Sequence, residues 1–359
     1  MILAKTNAYG RQRPTFCANC DATELEQETL GTSEMKAMLC KEPGPVESLV
    51  LEDFELPAPG EGEVRIRVRC AGVNFPDILI TEGKYQFKPD HPFPPGSECA
   101  GDVLAVGPGV TDFKPGDRVI ALTGHGAFAE EVNARAIKCL HLPEDISYEL
   151  GSAFVLTYGT SAYALLQMGK LVPGEWLLVH GAAGGVGISA VEIGKAMGAR
   201  VIGTGSSDEK LAVVMEHGAD HVINYIKGPF KDQVKEICGG AGADVIYDPV
   251  GGDVFEESLR CINWDGRLLV IGFASGRIPQ APANLALLKN CSIVGVFWGA
   301  WTERNPDLHR KNMDIMFEWL REGKLRPNIS HRFPLAEVPA ALNVLVERKV
   351  VGKAVITVD

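Results

Sequence analysis

A chain of 359 residues is longer than one ordinary hydrophobic core serves, so the length points to two lobes sharing one task. At 46% hydrophobic and 23% charged residues the composition is that of a folded globular protein, and no run approaches the roughly 18 unbroken apolar residues of a membrane span, so a soluble chain without a membrane partner is expected. A formal net charge of −11, with no run of Lys and Arg interleaved with aromatics, argues against nucleic acid as a partner.

Residues 1–34 lack the apolar centre of a secretory signal. Lys5, Arg11 and Arg13 are offset by Asp21, Glu24, Glu26 and Glu28, a poor transit peptide, and the segment is expected to be a mobile extension. Cys17-Ala-Asn-Cys20 has the spacing of half a zinc site or of a redox pair. With no second pair to complete it, two ordinary thiols in a tail is the simpler reading. The other seven of the nine cysteines are scattered singly, as at Cys99, Cys139 and Cys261, which suits a reducing, cytoplasmic compartment.

From Lys36 the pattern becomes one of short strands. Val64-Arg-Ile-Arg-Val-Arg69 alternates apolar and polar, runs at 100–106 and 118–122 follow, and Gly- and Pro-rich turns at 57–62 and 114–117 separate them. Near Ser147 helix-like stretches (159–166, 187–197, 209–217) begin to alternate with strands at 176–179, 200–203, 221–224, 245–248 and 267–271. That alternation predicts an α/β fold, a Rossmann-type doubly wound parallel sheet with helices on both faces. A last strand-helix-strand piece, ending Lys353-Ala-Val-Ile-Thr-Val358, is too small for its own core and is expected to pack back on the β-rich lobe. The predicted organisation is therefore an extension (1–34), a β-rich domain (35–157 with 301–359) and a nucleotide-binding domain (158–300).

Between the strand at 176–179 and the next helix stands His180-Gly-Ala-Ala-Gly-Gly-Val-Gly187. Gly184 and Gly185 would let the backbone approach a pyrophosphate, Gly187 would allow close helix–strand packing, and the helix N-terminus would offer its N–H groups to the anion. Ala182 stands where the GxGxxG pattern has its first glycine, and the alternative is a plain tight turn. An NAD site places a carboxylate at the end of the following strand. Here that strand ends Val201-Ile-Gly-Thr-Gly-Ser-Ser207, so Gly205, Ser206 and Ser207 leave room for a 2′-phosphate that Lys210 could neutralise, which favours NADPH. Ser206, Ser207 and Asp208 could equally cap the next helix. His180 could steer the phosphates or simply pack in the core. His91, His125 and His141 lie in loops without a carboxylate or cysteine at ligand spacing and read as solvent-facing.

Together with Ala71-Gly-Val-Asn-Phe-Pro-Asp77, Pro95-Gly-Ser-Glu-Cys-Ala-Gly101, Leu156-Thr-Tyr-Gly-Thr160, Asp248-Pro-Val-Gly-Gly252, Ile271-Gly-Phe273 and Gly352-Lys-Ala-Val-Ile356, the glycine turn resembles the medium-chain dehydrogenase/reductase superfamily, in particular its zeta-crystallin-like quinone oxidoreductase branch. The likeness runs from about Met35 to the C-terminus and implies a GroES-like catalytic domain beside the Rossmann domain. Zinc-dependent members carry Cys-His where this chain has Asn74-Phe75, and His where it has Ser97. Those side chains cannot replace thiolate and imidazole, so the resemblance implies a zinc-free enzyme whose acceptor is already electrophilic, such as a quinone or an enone.

The resemblance also implies site residues. Asn74 could donate an amide N–H to a developing oxyanion and Tyr85 its phenolic proton, against the alternatives that Asn74 bonds its own turn and Tyr85 is structural. A second tyrosine present in some quinone reductases is Leu79 here. Tyr163, Val250 and the run Gly272, Phe273, Ala274 and Ser275 would follow the nicotinamide half, Tyr225 with Lys210 the adenosine phosphate, and Thr160 and Val186 would also bind the cofactor. Arg348 and Lys353 would close over the nucleotide, and residues 291–299 would pair two subunits of a homodimer, with Phe297 and Trp298 near the cofactor. The implied activity is hydride transfer from NADPH to a quinone or similar conjugated carbonyl. Reduction of an enone or enoyl thioester, and an NADPH-binding structural protein, are the alternatives.

Overall fold

The computed structural model describes residues 31–358. The Cys17/Cys20 pair and most of the expected extension therefore lie outside the described residues. The last four positions assigned to that extension do not behave as one, because Ser33 and Glu34 open β1 (Ser33–Leu39), paired antiparallel with β2 (Val50–Leu56).

The β-rich lobe follows as β3 (Glu63–Val73), α1 (Phe75–Thr81), β4 (Glu98–Val106), β5 (Arg118–Leu122), β6 (Glu131–Arg135) and β7 (Cys139–His141). Alternation along β3 buries Val64, Ile66 and Val68 and exposes Arg67 and Arg69, but Arg65 breaks the pattern and is fully buried. The β1–β2 hairpin covers it, and its guanidinium is satisfied by the carbonyls of Gly31 (3.0 Å), Leu56 (3.1 Å) and Pro57 and by Asn133 Oδ1 (3.3 Å).

Two helices, α2 (Tyr148–Ser152) and α3 (Val155–Ala162), lead into the second lobe, and α3 continues as a π-helical turn at Tyr163–Met168. Then β8 (Trp176–Val179), α4 (Gly185–Ala196), β9 (Arg200–Gly205), α5 (Asp208–Glu216), β10 (His221–Asn224), α6 (Phe230–Ile237), β11 (Ala243–Asp248), α7 (Gly252–Cys261), β12 (Ile262–Val270), α8 (Ala283–Lys289) and β13 (Ser292–Gly295) build one parallel sheet in the order β10-β9-β8-β11-β12-β13. The order reverses between β8 and β11, and that switch point is where such sheets open a crevice at their carboxyl ends.

After α9 (Trp298–Arg304) and α10 (Pro306–Arg321) the chain returns to the first lobe through β14 (Ile329–Pro334), α11 (Val338–Val346) and β15 (Lys353–Thr357). Strand β15 lies inside the first sheet, parallel to β14 and antiparallel to β3. Cuts at 157/158 and 300/301 are proposals for folding units rather than gaps in packing. Phe154 stacks on Phe317 of α10 at 5.5 Å, and Met313, Met316 and Phe317 share a core with Leu177, Val179 and Tyr247. No helix among the described residues is long and apolar enough to cross a membrane.

Candidate functional site

The glycine turn occupies the switch point at the end of β8. A Cβ on Gly187 would lie 2.3 Å from Gly181 O, and one on Gly185 would press on Thr157 and Lys353 at 3.0 and 3.2 Å, so larger side chains are excluded. Ala182, the departure from the glycine pattern, is accommodated from the other side. Gly203 of β9 faces it, and a Cβ there would come within 3.0 Å of the Ala182 methyl. Gly184 is the extended N-cap of the twelve-residue α4 and no side chain caps that helix. Its first N–H groups are therefore unspent by any cap, which fits an anionic phosphate group.

At the end of β9 Ser207 caps α5, its Oγ accepting from Lys210 N at 3.4 Å, so the capping alternative is realised. Lys210 Nζ reaches over to the carbonyls of Arg348 and Val350, which places the two cations Lys210 and Arg348 side by side. Burial, and then the charge of Arg348, hold the Lys210 ammonium below its ordinary range. Asp208 turns to Asn224 at 2.7 Å and to Lys227, while Ser206 is exposed and Tyr225, just beyond β10, is half-buried against the lobe's core.

Across the switch point Asp248 Oδ1 accepts from the N–H groups of Val250 (2.8 Å) and Gly251 (3.0 Å), turning the chain out of β11. Ala274 N and Ser275 N donate to the carbonyls of Pro249 and Val250, both at 3.0 Å, so Val250 and the Gly272–Ser275 run lie side by side. Val250 also reaches the glycine turn, 3.4 Å from where a Gly181 Cβ would stand. Thr160 Oγ1 is spent on Leu156 O (2.6 Å), and Tyr163 stacks on Trp301 at 4.3 Å. Phe297 and Trp298 diverge. Phe297 is exposed, while Trp298 is buried beneath α3 against Gly159 and edge-on to His309. His180 is a core residue, bonded to Thr204 and Ser258 at 2.9 and 2.8 Å, and burial pushes its pKa down to about 3.

In the β-rich lobe Asn74 belongs to a buried polar cluster drawn from β3, α1, β4 and β15. Asn74 Nδ2 donates to Glu98 Oε1 (2.9 Å) and Gly72 O (3.3 Å), and its Oδ1 accepts from Lys353 Nζ (2.6 Å). Lys353 Nζ also pairs with Glu98 Oε1 at 2.8 Å and donates to Val73 O, while Glu98 Oε2 accepts from Leu156 N at 2.9 Å. Both amide hydrogens of Asn74 are thus engaged inside the protein, one by the carbonyl of Gly72 in its own turn and one by the distant Glu98. Lys353, expected to close over the nucleotide, runs its stem past Gly185 of the glycine turn and buries its ammonium in this cluster. Its neighbour Gly352 meets the glycine turn, pairing with Gly184 and donating its N–H to Ala183 O at 2.8 Å.

Below Asn74, Asp77 accepts from Asn74 N (2.8 Å) and from Ser97 Oγ. Burial pushes the Asp77 carboxyl up to about 7, against the pull of Ser97, Asn74 and Lys353. Tyr85 is half-buried, and burial together with Asp77 raises its phenol. Sequence reasoning missed Asp77, Glu98 and the partner of Lys353. A signal was present, since an ionisable residue inside an apolar run, as Glu98 and Lys353 are, needs a buried partner. Among the described residues no three His, Cys, Asp or Glu side chains are grouped to hold a metal.

Residues 60–144 match the family model of the alcohol dehydrogenase GroES-like domain and residues 185–313 that of the zinc-binding dehydrogenase. The chain is 42% identical over 354 residues to a quinone oxidoreductase-like protein 2 homolog of Nematostella vectensis, spanning 98% of this chain and 94% of that one. It is 38% identical to a quinone oxidoreductase of Pseudomonas aeruginosa, over 87% of this chain and 96% of the other. The crystal structure of Escherichia coli quinone oxidoreductase complexed with NADPH superimposes with a TM-score of 0.83 at 30% identity, covering 90% of this chain and 99% of that one.

Proposed function

We propose that this chain, which belongs to the medium-chain dehydrogenase/reductase superfamily in its quinone oxidoreductase-like branch, delivers hydride from NADPH to a quinone or similarly conjugated carbonyl without the help of zinc. It is an oxidoreductase using a nicotinamide cofactor. What carries the finer reading is the seam at Gly184 and Gly352, where the nucleotide turn abuts the strand whose next residue, Lys353, holds Asn74.

When bound, NADPH supplies the hydride. The free N–H groups of α4 hold its pyrophosphate, Lys210 and Arg348 its 2′-phosphate, and Val250 with the Gly272–Ser275 run its nicotinamide half. Tyr85 donates the proton that the acceptor oxygen gains and recovers it from solvent. Asn74, with its hydrogen bonds committed to Lys353 and Glu98, shapes the floor of the site and is a positioning residue. Asn74 and Ser97 support the zinc-free reading, because their side chains are engaged by Lys353, Glu98 and Asp77 and are poor ligands.

Oxidation of NADPH, and of NADH in parallel, against quinones, enones and enoyl thioesters tests the proposal. Quinones should turn over with NADPH, a chelator should change nothing, and Tyr85→Phe should lower kcat by roughly a hundredfold. Turnover confined to enoyl thioesters would move the assignment to that acceptor class. No turnover with any acceptor would leave an NADPH-binding structural protein.

The assembly we propose is a homodimer. Strand β13 is one of the two edges of its sheet, and α8, which precedes it in the chain, exposes Leu287 (79%) and Leu288 (68%), a combination that invites a second copy. Sedimentation at the mass of one chain would refute it. The described cysteines are all free thiols, most of them buried, which supports a cytoplasmic location that cell fractionation can check.

A further inference from the structure

We propose that Phe87 and His125 form a two-ring platform that selects flat, ring-shaped acceptors over open-chain ones, an inference that rests on the acceptor binding beside Tyr85 as proposed above. Among the described Phe, Tyr and Trp side chains of the β-rich lobe the exposed ones are Phe75 (39%) and Phe87 (48%). One directly follows Asn74 and the other lies two residues beyond Tyr85. Aromatic surface left in water next to a candidate site is surface that a ligand can cover.

His125, expected to face solvent, is instead half-buried in this wall. Phe87 stacks on it with ring centroids 5.7 Å apart and planes 22° from parallel, and the buried Phe93 meets it edge-on at 5.7 Å. Its Nδ1 is buried without a hydrogen-bond partner, so rings rather than polar contacts hold it, and it serves as a flat face. Burial keeps the imidazole below its ordinary range and therefore uncharged at neutral pH. Neutral, electron-rich rings suit an electron-poor quinone, whose stacking on them desolvates no charge.

The backbone ties this wall to the polar cluster. Thr123 N and Gly124 N donate to Ser97 O (2.9 and 3.2 Å), and Gly126 N donates to Pro94 O (2.7 Å), so the His125 loop is stitched to the segment whose Ser97 contacts Asp77. Gly124 and Gly126 take φ of +76° and +104°, a path other residues rarely adopt, which fixes the loop that carries His125. From the other side Tyr85 N donates to Leu79 O (3.1 Å), holding the chain that leads to Phe87 against the end of α1.

Steady-state kinetics with NADPH, comparing naphthoquinone with methyl vinyl ketone, tests the platform. Phe87→Ala and His125→Ala should each raise the KM for naphthoquinone about three- to tenfold, the scale of one lost aromatic contact, and leave kcat and the ketone KM unchanged. His125→Phe should restore the wild-type value, since it keeps the ring without the nitrogens. No change for naphthoquinone, or equal losses for both acceptors with an unchanged unfolding midpoint, would overturn the inference while leaving the proposed activity standing. If the wild type reduces neither acceptor, the proposed activity fails. Calorimetric binding of naphthoquinone to the NADP-loaded protein then decides the platform alone, and equal affinity for wild type and Phe87→Ala overturns it.

Discussion

Lys353→Met should destabilise the protein by about 3–5 kcal/mol, because it leaves the fully buried Glu98 carboxylate without its cation. Lost packing contributes little, since Met nearly matches the lysine stem in volume. The paired change Lys353→Met with Glu98→Gln should recover most of the loss, and denaturant titration of the two single variants and the double variant reads this coupling directly. A cost below about 1 kcal/mol for the single change would mean that the pair behaves as a solvated surface contact.

Asp77 adds a pH signature to the same variant. Its folded pKa of about 7 lies above the unfolded value of about 4, so ionising it costs nothing below about pH 4. The cost grows as pH rises toward 7 and is constant above. Lys353 is one of the groups pulling that pKa down, so in Lys353→Met the loss of stability should continue above pH 7, where the wild type has levelled off. Unfolding midpoints collected from pH 5 to pH 9 would show the displaced plateau, and superimposable profiles would contradict it.

Lys210→Ala should raise the KM for NADPH about 10- to 100-fold and leave the KM for NADH unchanged. The expected size is that of one charge-assisted hydrogen bond to phosphate, about 1.5–3 kcal/mol, at 1.4 kcal/mol per tenfold. NADH has no 2′-phosphate for the lysine to meet. The ammonium is already held over α5 by the Arg348 and Val350 carbonyls, so little ordering entropy is lost when the anion arrives. Added salt should erode the wild-type preference for NADPH and have less effect on the variant. Equal use of the two cofactors by the wild type would remove this lysine from the account.

The nucleotide lobe was legible because its signals are local. Strand–turn–helix units repeat at short spacing, and the glycines of 181–187 fall between one strand and one helix, so periodicity and position place them without long-range information. The buried cluster of the β-rich lobe obeys no such rule. Lys353 and Asn74 touch across 279 residues of chain, and nothing near either one names the other. Arg65 shows the limit of alternation, since the period of two turns it outward from β3 and only acceptors drawn from other segments, the carbonyls of Gly31, Leu56 and Pro57 with Asn133 Oδ1, make its burial tolerable. His125 was unreadable for a related reason, because the rings that enclose it come from residues 87 and 93, a different loop.

Strand β15 lies in the interior of the β-rich lobe's sheet, between β14 and β3, although it comes last of the described strands. A ribosome releases residues 353–357 only after every strand of the nucleotide sheet has been made. The nucleotide lobe can thus close during synthesis, while β3 waits with an open edge for its final neighbour. Because Lys353 arrives on that neighbour, Asn74 and Glu98 wait without their cation until β15 is made, and the buried cluster is completed as the sheet is sealed.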